Sequence, residues 1–417
     1  MATLRRIALS TAAAALTAAL FVPGPRAGAA APSPSAAAAS GCKPSVAAYE
    51  LALPGHPFSV IPTADERHVF VSLSSSNPRS RTGVGVLECS AGRYRLKQFI
   101  TLESQPSGMA LTHDGKLLLV ADEDFTAFVD VQRAIAGQDA LLGYFQDVEG
   151  DDAGAVYVNV SPDDRFAFVS DENVATISVI DLARARANGY KRAAIVGTIP
   201  TGRAPIALTF TADGRYLLTT SQRAQPADNF PAACKPEGQN PATAAVTNPP
   251  GEIIVVDVAK ATTDPAHAAV ARVPAGCSPV RMALSPDGAT AWVTARNSNA
   301  VLGFSVAKLI AGDQTAQVAN VEVGVAPVPV IVSPDGALLL VGNSNRFGLG
   351  AAGNQSLTVL DPHAATTGGT AKLGQITVGK FPRELSRTRS GSMVFLANWD
   401  SNSVTVFDAA RLRGLVH

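Results

Sequence analysis

The sequence predicts an all-β chain folded as a seven-bladed β-propeller of four-stranded antiparallel blades. Three observations predict it. One repeat of roughly 49 residues recurs seven times. Each copy carries strand signals flanking tight turns. A strand that precedes the first copy supplies what the last copy lacks. The 417 residues are 47% hydrophobic and 16% charged, ample material for buried sheets, and 35 Gly with 28 Pro suit a turn-rich β protein. A chain this long would ordinarily divide into domains. A radial array escapes that expectation, because each blade builds a core against its neighbour.

The first residues are read as lying outside the fold. Arg5 and Arg6 precede an apolar run over residues 7–22, which Pro23, Gly24 and Pro25 break, and Ala27, Gly28 and Ala29 give the small-x-small pattern of signal-peptidase cleavage. Residues 1–29 are therefore expected to be a signal peptide, residues 30–44 a flexible lead-in rich in Ala, Pro and Ser, and residues 45–417 the propeller. The apolar run is short of the ~20 residues of a membrane span, and no later stretch reaches that length. We expect a secreted or extracytoplasmic protein without a transmembrane segment. The 34 basic residues equal the 34 acidic ones, and loss of Arg5, Arg6 and Arg26 with the leader leaves a net charge of −3. That balance excludes an electrostatic nucleic-acid binder, which needs a basic face.

Each repeat opens on an anchor, normally Pro, then runs apolar strand, Asp-Gly-like turn, apolar strand. The anchors are Pro57, Pro106, Ala155, Pro205, Pro279, Pro327 and Pro382, at spacings of 49, 49, 50, 74, 48 and 55 residues. The turns are centred on Asp65, Asp114-Gly115, Asp163-Asp164, Asp213-Gly214, Asp287-Gly288 and Asp335-Gly336, with Ser390-Gly391 in the last repeat. Such residues tolerate the positive φ that tight hairpins require. A third strand ends in Asp181, Asp257, Asp361 or Asp408 in four of the repeats, and a fourth leads back to a Gly and the next anchor. Short Ala/Arg-rich pieces after the third strand, such as residues 182–187, are expected to form single helical turns. The long fourth spacing holds an insertion at about residues 222–250 in blade four. The chain stops at His417, before a fourth strand in the last repeat, while residues 47–55 look like a fourth strand with no repeat ahead of it. Pairing the two closes the ring and hides both sheet edges. We expect a monomer.

These segments resemble the YVTN-repeat β-propellers, in which a Pro-apolar-Ser-Pro-Asp-Gly element precedes Tyr-Val-Thr-Asn and then a Val-x-Val-Ile-Asp strand. Here the second element reads Trp292-Val293-Thr294-Ala295 and Phe395-Leu396-Ala397-Asn398. The similarity spans about residues 47–410. It implies the fold directly. For function it implies a range, from exported binding proteins to distant, lactonase-like seven-bladed enzymes. Those lactonase relatives carry an Arg-His pair ahead of a Phe-His-Pro-Asp-Gly turn; here Val280-Arg281-Met282 leads to Ser285-Pro286-Asp287-Gly288, with no His.

The four cysteines allow three pairings, and the propeller topology selects one. With strands alternating in direction, the loops joining strands two to three and four to one share a face. Cys234 in the insertion and Cys277 in the link to blade five lie on that face. Cys42 and Cys89 lie on the opposite face in adjacent blades. We expect disulfides Cys42–Cys89 and Cys234–Cys277.

Ligands of propellers usually sit at the channel mouth, on the face of the four-to-one and two-to-three loops, a fold-level expectation. Two residues after each anchor come Ser59, Gly108, Tyr157, Ala207, Arg281, Pro329 and Glu384, with Arg383 beside the last. Tyr157, Arg281, Arg383 and Glu384 are the candidate ligand-binding residues, suited to an anionic or sugar-like ligand; adjacent Arg383 and Glu384 also have the option of pairing locally. The acidic link over residues 147–152, with Asp147 and Asp152, offers hard oxygen ligands for Ca²⁺ but lacks EF-hand spacing and is read as a solvated loop, as are Asp122, Glu123, Asp124, Asp171 and Glu172. The histidines, 56, 68, 113, 267, 363 and 417, show no paired spacing, and no Cys-x-x-Cys occurs. We therefore expect no metal, no cofactor and no catalytic residues. The expected function is a binding or protein-interaction module for an unknown protein or small-molecule ligand. The alternative is a lactonase-like hydrolase that opens a cyclic ester.

Overall fold

The computed structural model describes residues 42–75, 82–148, 152–240, 242–348 and 355–417. The expected leader, residues 1–29, most of the lead-in and the centre of the acidic link lie outside the described residues. Seven four-stranded antiparallel sheets form the ring, each built from consecutive strands except the last. There Ala48–Ala52 pairs with Ser403–Asp408, in register from Ala48 opposite Phe407 to Ala52 opposite Ser403. The strand after the expected leader therefore completes blade seven, as the repeat count requires. The disulfide Cys42–Cys89 ties the approach to that strand onto blade one, and Cys234–Cys277 ties the insertion to the link between blades four and five. No helix among the described residues is long and apolar enough to cross a membrane.

Burial follows the blade interfaces. The apolar clusters outside the channel each join one blade to the next, as where Leu218, Ile253 and Val255 of blade four meet Met282, Val293 and Phe304 of blade five. Third strands hand over to the helical turns foreseen at their ends. Asp181 caps Leu182–Ala187 by accepting from the Arg184 N–H, and Asp257 and Asp361 cap the equivalent turns in blades four and six.

The Ser-Pro-Asp-Gly motif has a local cause. In blade five the Ser285 hydroxyl donates to Asp287 Oδ1 at 2.5 Å and accepts from the Thr290 N–H at 2.9 Å, while Asp287 accepts from the Ala289 N–H. Thr63, Thr112, Ser161, Thr211 and Ser333 make the same hydroxyl bond to the Asp two residues on. One hairpin is thus closed by side chains in six blades. Blade seven has Ser390 in the Asp position, and a neighbour supplies the carboxylate: Glu66 of blade one accepts from the Ser390 N–H at 2.8 Å. Asp164 of blade three likewise accepts from the His113 and Asp114 N–H groups of blade two. Glu66 and Asp164 stand where other blades have Gly, at φ of 56° and 57°. Strained backbone is traded there for a contact between blades.

Candidate functional site at the channel mouth

The innermost strands, Pro279–Leu284 in blade five for instance, each carry a bulge just after the anchor. Pro279 pairs with Ala295 and Met282 with Val293, so Val280 and Arg281 together oppose Thr294. The Thr294 hydroxyl accepts from the Arg281 N–H at 3.1 Å and donates to the Val328 carbonyl of blade six at 2.8 Å. Thr220 does the same for Ala207 and the Val280 carbonyl, and Ser72 for Ser59 and the Ser107 carbonyl. A hydroxyl in the second strand thus satisfies the donor that the bulge frees and stitches its blade to the next. The consequence for the channel is direct. Two consecutive side chains per blade reach its wall, where a regular strand would send only one.

The upper layer comes from the residue just after each anchor. Phe58, Val156, Ile206, Val280 and Val328 form a buried apolar belt, with Ser107 in blade two and Arg383 in blade seven at the equivalent positions. The lower layer holds Tyr157, Arg281 and Glu384. Arg281 Nη2 lies 3.0 Å from Glu384 Oε2, the Tyr157 hydroxyl donates to Glu384 Oε1 at 3.1 Å, and the Arg281 guanidinium sits 4.3 Å from the Tyr157 ring centroid. Arg281 and Glu384 are only 5% and 8% exposed. Burial pushes the Glu384 carboxyl up, while Arg281, then Tyr157 and Arg383, pull it back down. Burial, then the Glu384 charge, holds the Tyr157 phenol above its ordinary value, so it stays a donor.

Arg383 sits differently. Its guanidinium packs 4.2 Å from the Phe58 centroid, 5.5 Å from Phe381 and 5.8 Å from Trp399. Among the described residues it has no ion-pair partner, and its buried Nε has no hydrogen-bond partner. Burial, with Arg281, Arg346 and Arg296 close by, pushes it well below its ordinary value. A guanidinium stays protonated all the same; the shift reports how poorly this place solvates a cation. Of the four residues singled out in the sequence, three therefore touch one another and the fourth lies in the layer above. Glu384 pairs across the channel with Arg281, not with its chain neighbour.

Above the belt a cavity of about 310 Å³ is lined by Arg281, Arg296, Arg346, Arg383, Glu172 and Glu237, among others. Arg296 makes a bidentate pair with Glu237 of the insertion, at 2.7 Å from Nε and 2.5 Å from Nη2, and also donates to Gln222. Gln222 in turn donates to Glu172 at 2.9 Å. Arg346 is exposed and rests on the Phe347 and Phe381 rings. Below Arg281 a second cavity, about 240 Å³, runs along the innermost strands of blades five to seven as far as Arg387. The sequence did not single out Phe58, Arg296, Glu237, Phe381 or Trp399. The signal within reach was positional: all follow an anchor directly or lie in the loops of the mouth face.

The acidic residues need a correction. Asp122, Asp147 and Asp171, read from the sequence as solvated, are all buried, at 5%, 1% and 0% exposure. Asp147 Oδ1 accepts from Thr126 and Asp171 Oδ2 from Ser178, both at 2.7 Å, yet Asp147 Oδ2 and Asp171 Oδ1 have no hydrogen-bond partner. Asp171 ends its strand and Asp147 directly follows one, and both are buried in the fold instead of exposed in the loops. No group of three or more His, Cys, Asp or Glu among the described residues could hold a metal ion.

Residues 250–417 match the family model described as "Lactonase, 7-bladed beta-propeller". The matched part contains the last two strands of blade four, blades five and six, and blade seven without its N-terminal strand, and with them Arg281, Arg383 and Glu384. A likeness to lactonase-type seven-bladed propellers is thus found by comparison as well as by the repeat. No curated protein matches the sequence. Among solved structures, a chain described as Kuenenia stuttgartiensis hydrazine synthase superimposes with a TM-score of 0.60 at 18% identity, over 85% of this chain and 96% of that one. At that identity the likeness concerns the fold alone.

Proposed function

We propose that the protein is an exported binding module that takes a small anionic ligand at the channel mouth, with Arg383 as the principal contact and Arg346 beside it. One observation carries this reading. Arg272, Arg281 and Arg296 each pair with a carboxylate, at 2.9, 3.0 and 2.5 Å, whereas Arg383 packs on aromatic rings and, among the described residues, has no carboxylate at ion-pair distance. A half-buried cation without a counter-charge costs several kcal/mol. Aromatic faces repay part of that cost, and they leave the in-plane N–H groups of the guanidinium open to a planar anion. Export is supported by the leader read in the sequence and by both disulfides, which persist in oxidising compartments.

Calorimetric and thermal-shift titration of the purified protein with acetate, phosphate and sulfate tests this. At least one anion should bind and raise Tm. Arg383→Met should weaken it at least about tenfold, while the unliganded variant melts no lower than the parent, since an apolar side chain replaces an uncompensated charge. An absence of binding across the three anions defeats the proposal. A second reading, a hydrolase opening a cyclic ester, is favoured by the family match over residues 250–417. Against it, both Glu384 oxygens are engaged, by Arg281 and Tyr157, and a positioned base is needed. It would require lactone turnover that Glu384→Gln removes.

A further inference from the structure

We infer that the ligand is amphipathic, a monocarboxylate carried on an aromatic or compact apolar group. Its carboxylate meets Arg383, and its apolar part enters a recess that shares two walls with that arginine. This inference rests on the anion-binding reading above and adds the ligand's chemical class. Beside the mouth lies a cavity of about 670 Å³ lined by His56, Phe58, Ser74, Gln105, Pro106 and Trp399, among others. Phe58 and Trp399 are the same rings against which the Arg383 guanidinium packs, at 4.2 and 5.8 Å. The cation and the recess are therefore adjacent parts of one surface.

The recess is built in advance. The His56 ring stacks on Trp399 at 5.2 Å and 13°, its Nδ1 lies 2.9 Å from the Trp399 carbonyl, and Phe58 meets Trp399 edge-on at 5.9 Å. A preformed aromatic wall spares the ligand an ordering cost, and the volume suits a small organic molecule. The buried Ser74 hydroxyl, without a hydrogen-bond partner, is one of the polar groups in its lining. Charge at the rim narrows the choice further. Asp400 lines the recess, and Glu172 and Glu237 line the mouth. A second negative charge carried into the recess would face Asp400, which favours a ligand whose apolar part bears no charge of its own.

The chain carries two tryptophans. Trp292 is buried in the sheet core at 1% exposure, so a change in emission on binding reports on Trp399. Titrations with acetate, phenylacetate and the neutral 2-phenylethanol, followed by emission and by calorimetry, separate the two parts of the site. Phenylacetate should bind about tenfold or more tightly than either of the others. Trp399→Ala should collapse the ratio of phenylacetate to acetate affinity toward one, and His56→Ala, which removes the stacked ring but not the wall, should lower that ratio part of the way. Equal affinities for acetate and phenylacetate overturn the recess and leave the anion site standing. Equal affinities for phenylacetate and phenylethanol overturn the carboxylate contact, and the anion-binding reading falls with it.

Discussion

Carboxylates at the two ends of the ring live under opposite conditions. On the turn face Asp213, Asp287 and Asp335 lie at the surface, each bonded to a hydroxyl and to a backbone N–H of its own hairpin. Those bonds, the hydroxyl first, hold their pKa values below the ordinary range. Toward the mouth, Glu384, Asp122, Asp147 and Asp171 are buried, and burial pushes each upward. The first set repeats from blade to blade and specifies hairpins. The second differs from blade to blade and buries ionisable groups that no hairpin requires. Departure from the repeat, more than the repeat, marks where a ligand would act.

Breaking the central pair should have the largest effect. Glu384→Ala leaves Arg281 buried without a counter-charge and should lower the unfolding free energy by about 3–5 kcal/mol, measured by denaturant titration. The double replacement Glu384→Leu with Arg281→Met should recover most of that loss, because two apolar side chains of similar bulk need no partner. If the double variant is as unstable as the single one, the pair is holding the channel wall together and is not simply two charges balancing each other.

The buried aspartates give a smaller effect with a defined pH dependence. Burial raises Asp122 and Asp171 to about 7. Both take up a proton more readily in the folded chain than in the unfolded one, where Asp titrates near about 4. Their contribution to stability is fully present below that value and is lost as pH rises through about 7. Melting temperature should therefore fall between pH 5 and pH 8 by these groups. The turn aspartates act the other way and only at lower pH, where their stabilisation is lost as acid protonates them. Blades six and seven show the remedy. At the same end-of-strand position they have Asn343 and Asn398, whose amides donate to Ser356 and Thr358 and to Ser403 and Thr405. Asp171→Asn, facing Thr176 and Ser178 in the same way, should flatten the pH slope and gain on the order of 1 kcal/mol at pH 8. An unchanged slope would mean that Asp171 is ionised in the folded chain at neutral pH.

The ring was legible in the sequence because its hairpins are local. Thr or Ser, then Asp two residues on, then usually Gly, is a complete set of hydrogen-bond partners within six residues, and it recurs with the blade. Closure by residues 48–52 followed from the fourth strand that the last repeat lacks, and both disulfides from the alternation of strands in the ring. The mouth was only partly legible. Period-two reasoning assigns one channel-facing side chain per turn of pleat, and it found Tyr157, Arg281 and Glu384. The bulge adds a second, so the layer of Phe58 and Val156 escaped notice. Trp399 and Arg296 stand in short 3-10 turns after second strands, and their aim depends on how neighbouring loops pack. The burial of Asp147 and Asp171 has the same source: whether a charged strand end faces water is decided between blades.

The turn face should be the least sensitive part of the molecule. Ser285→Ala removes a donor to Asp287 and an acceptor for the Thr290 N–H, but Asp287 is exposed and Thr290 only half-buried. A loss of about 0.5–1 kcal/mol is expected, within the range of a single exposed hydrogen bond. The same substitution should also release Asp287 toward the ordinary carboxylate range, because the Ser285 hydroxyl is the leading cause of its low value. Carboxylate NMR titration reads that shift independently of stability. A loss as large as that of Glu384→Ala would mean that the hairpins carry the ring cooperatively, and the contrast between the two faces would no longer hold.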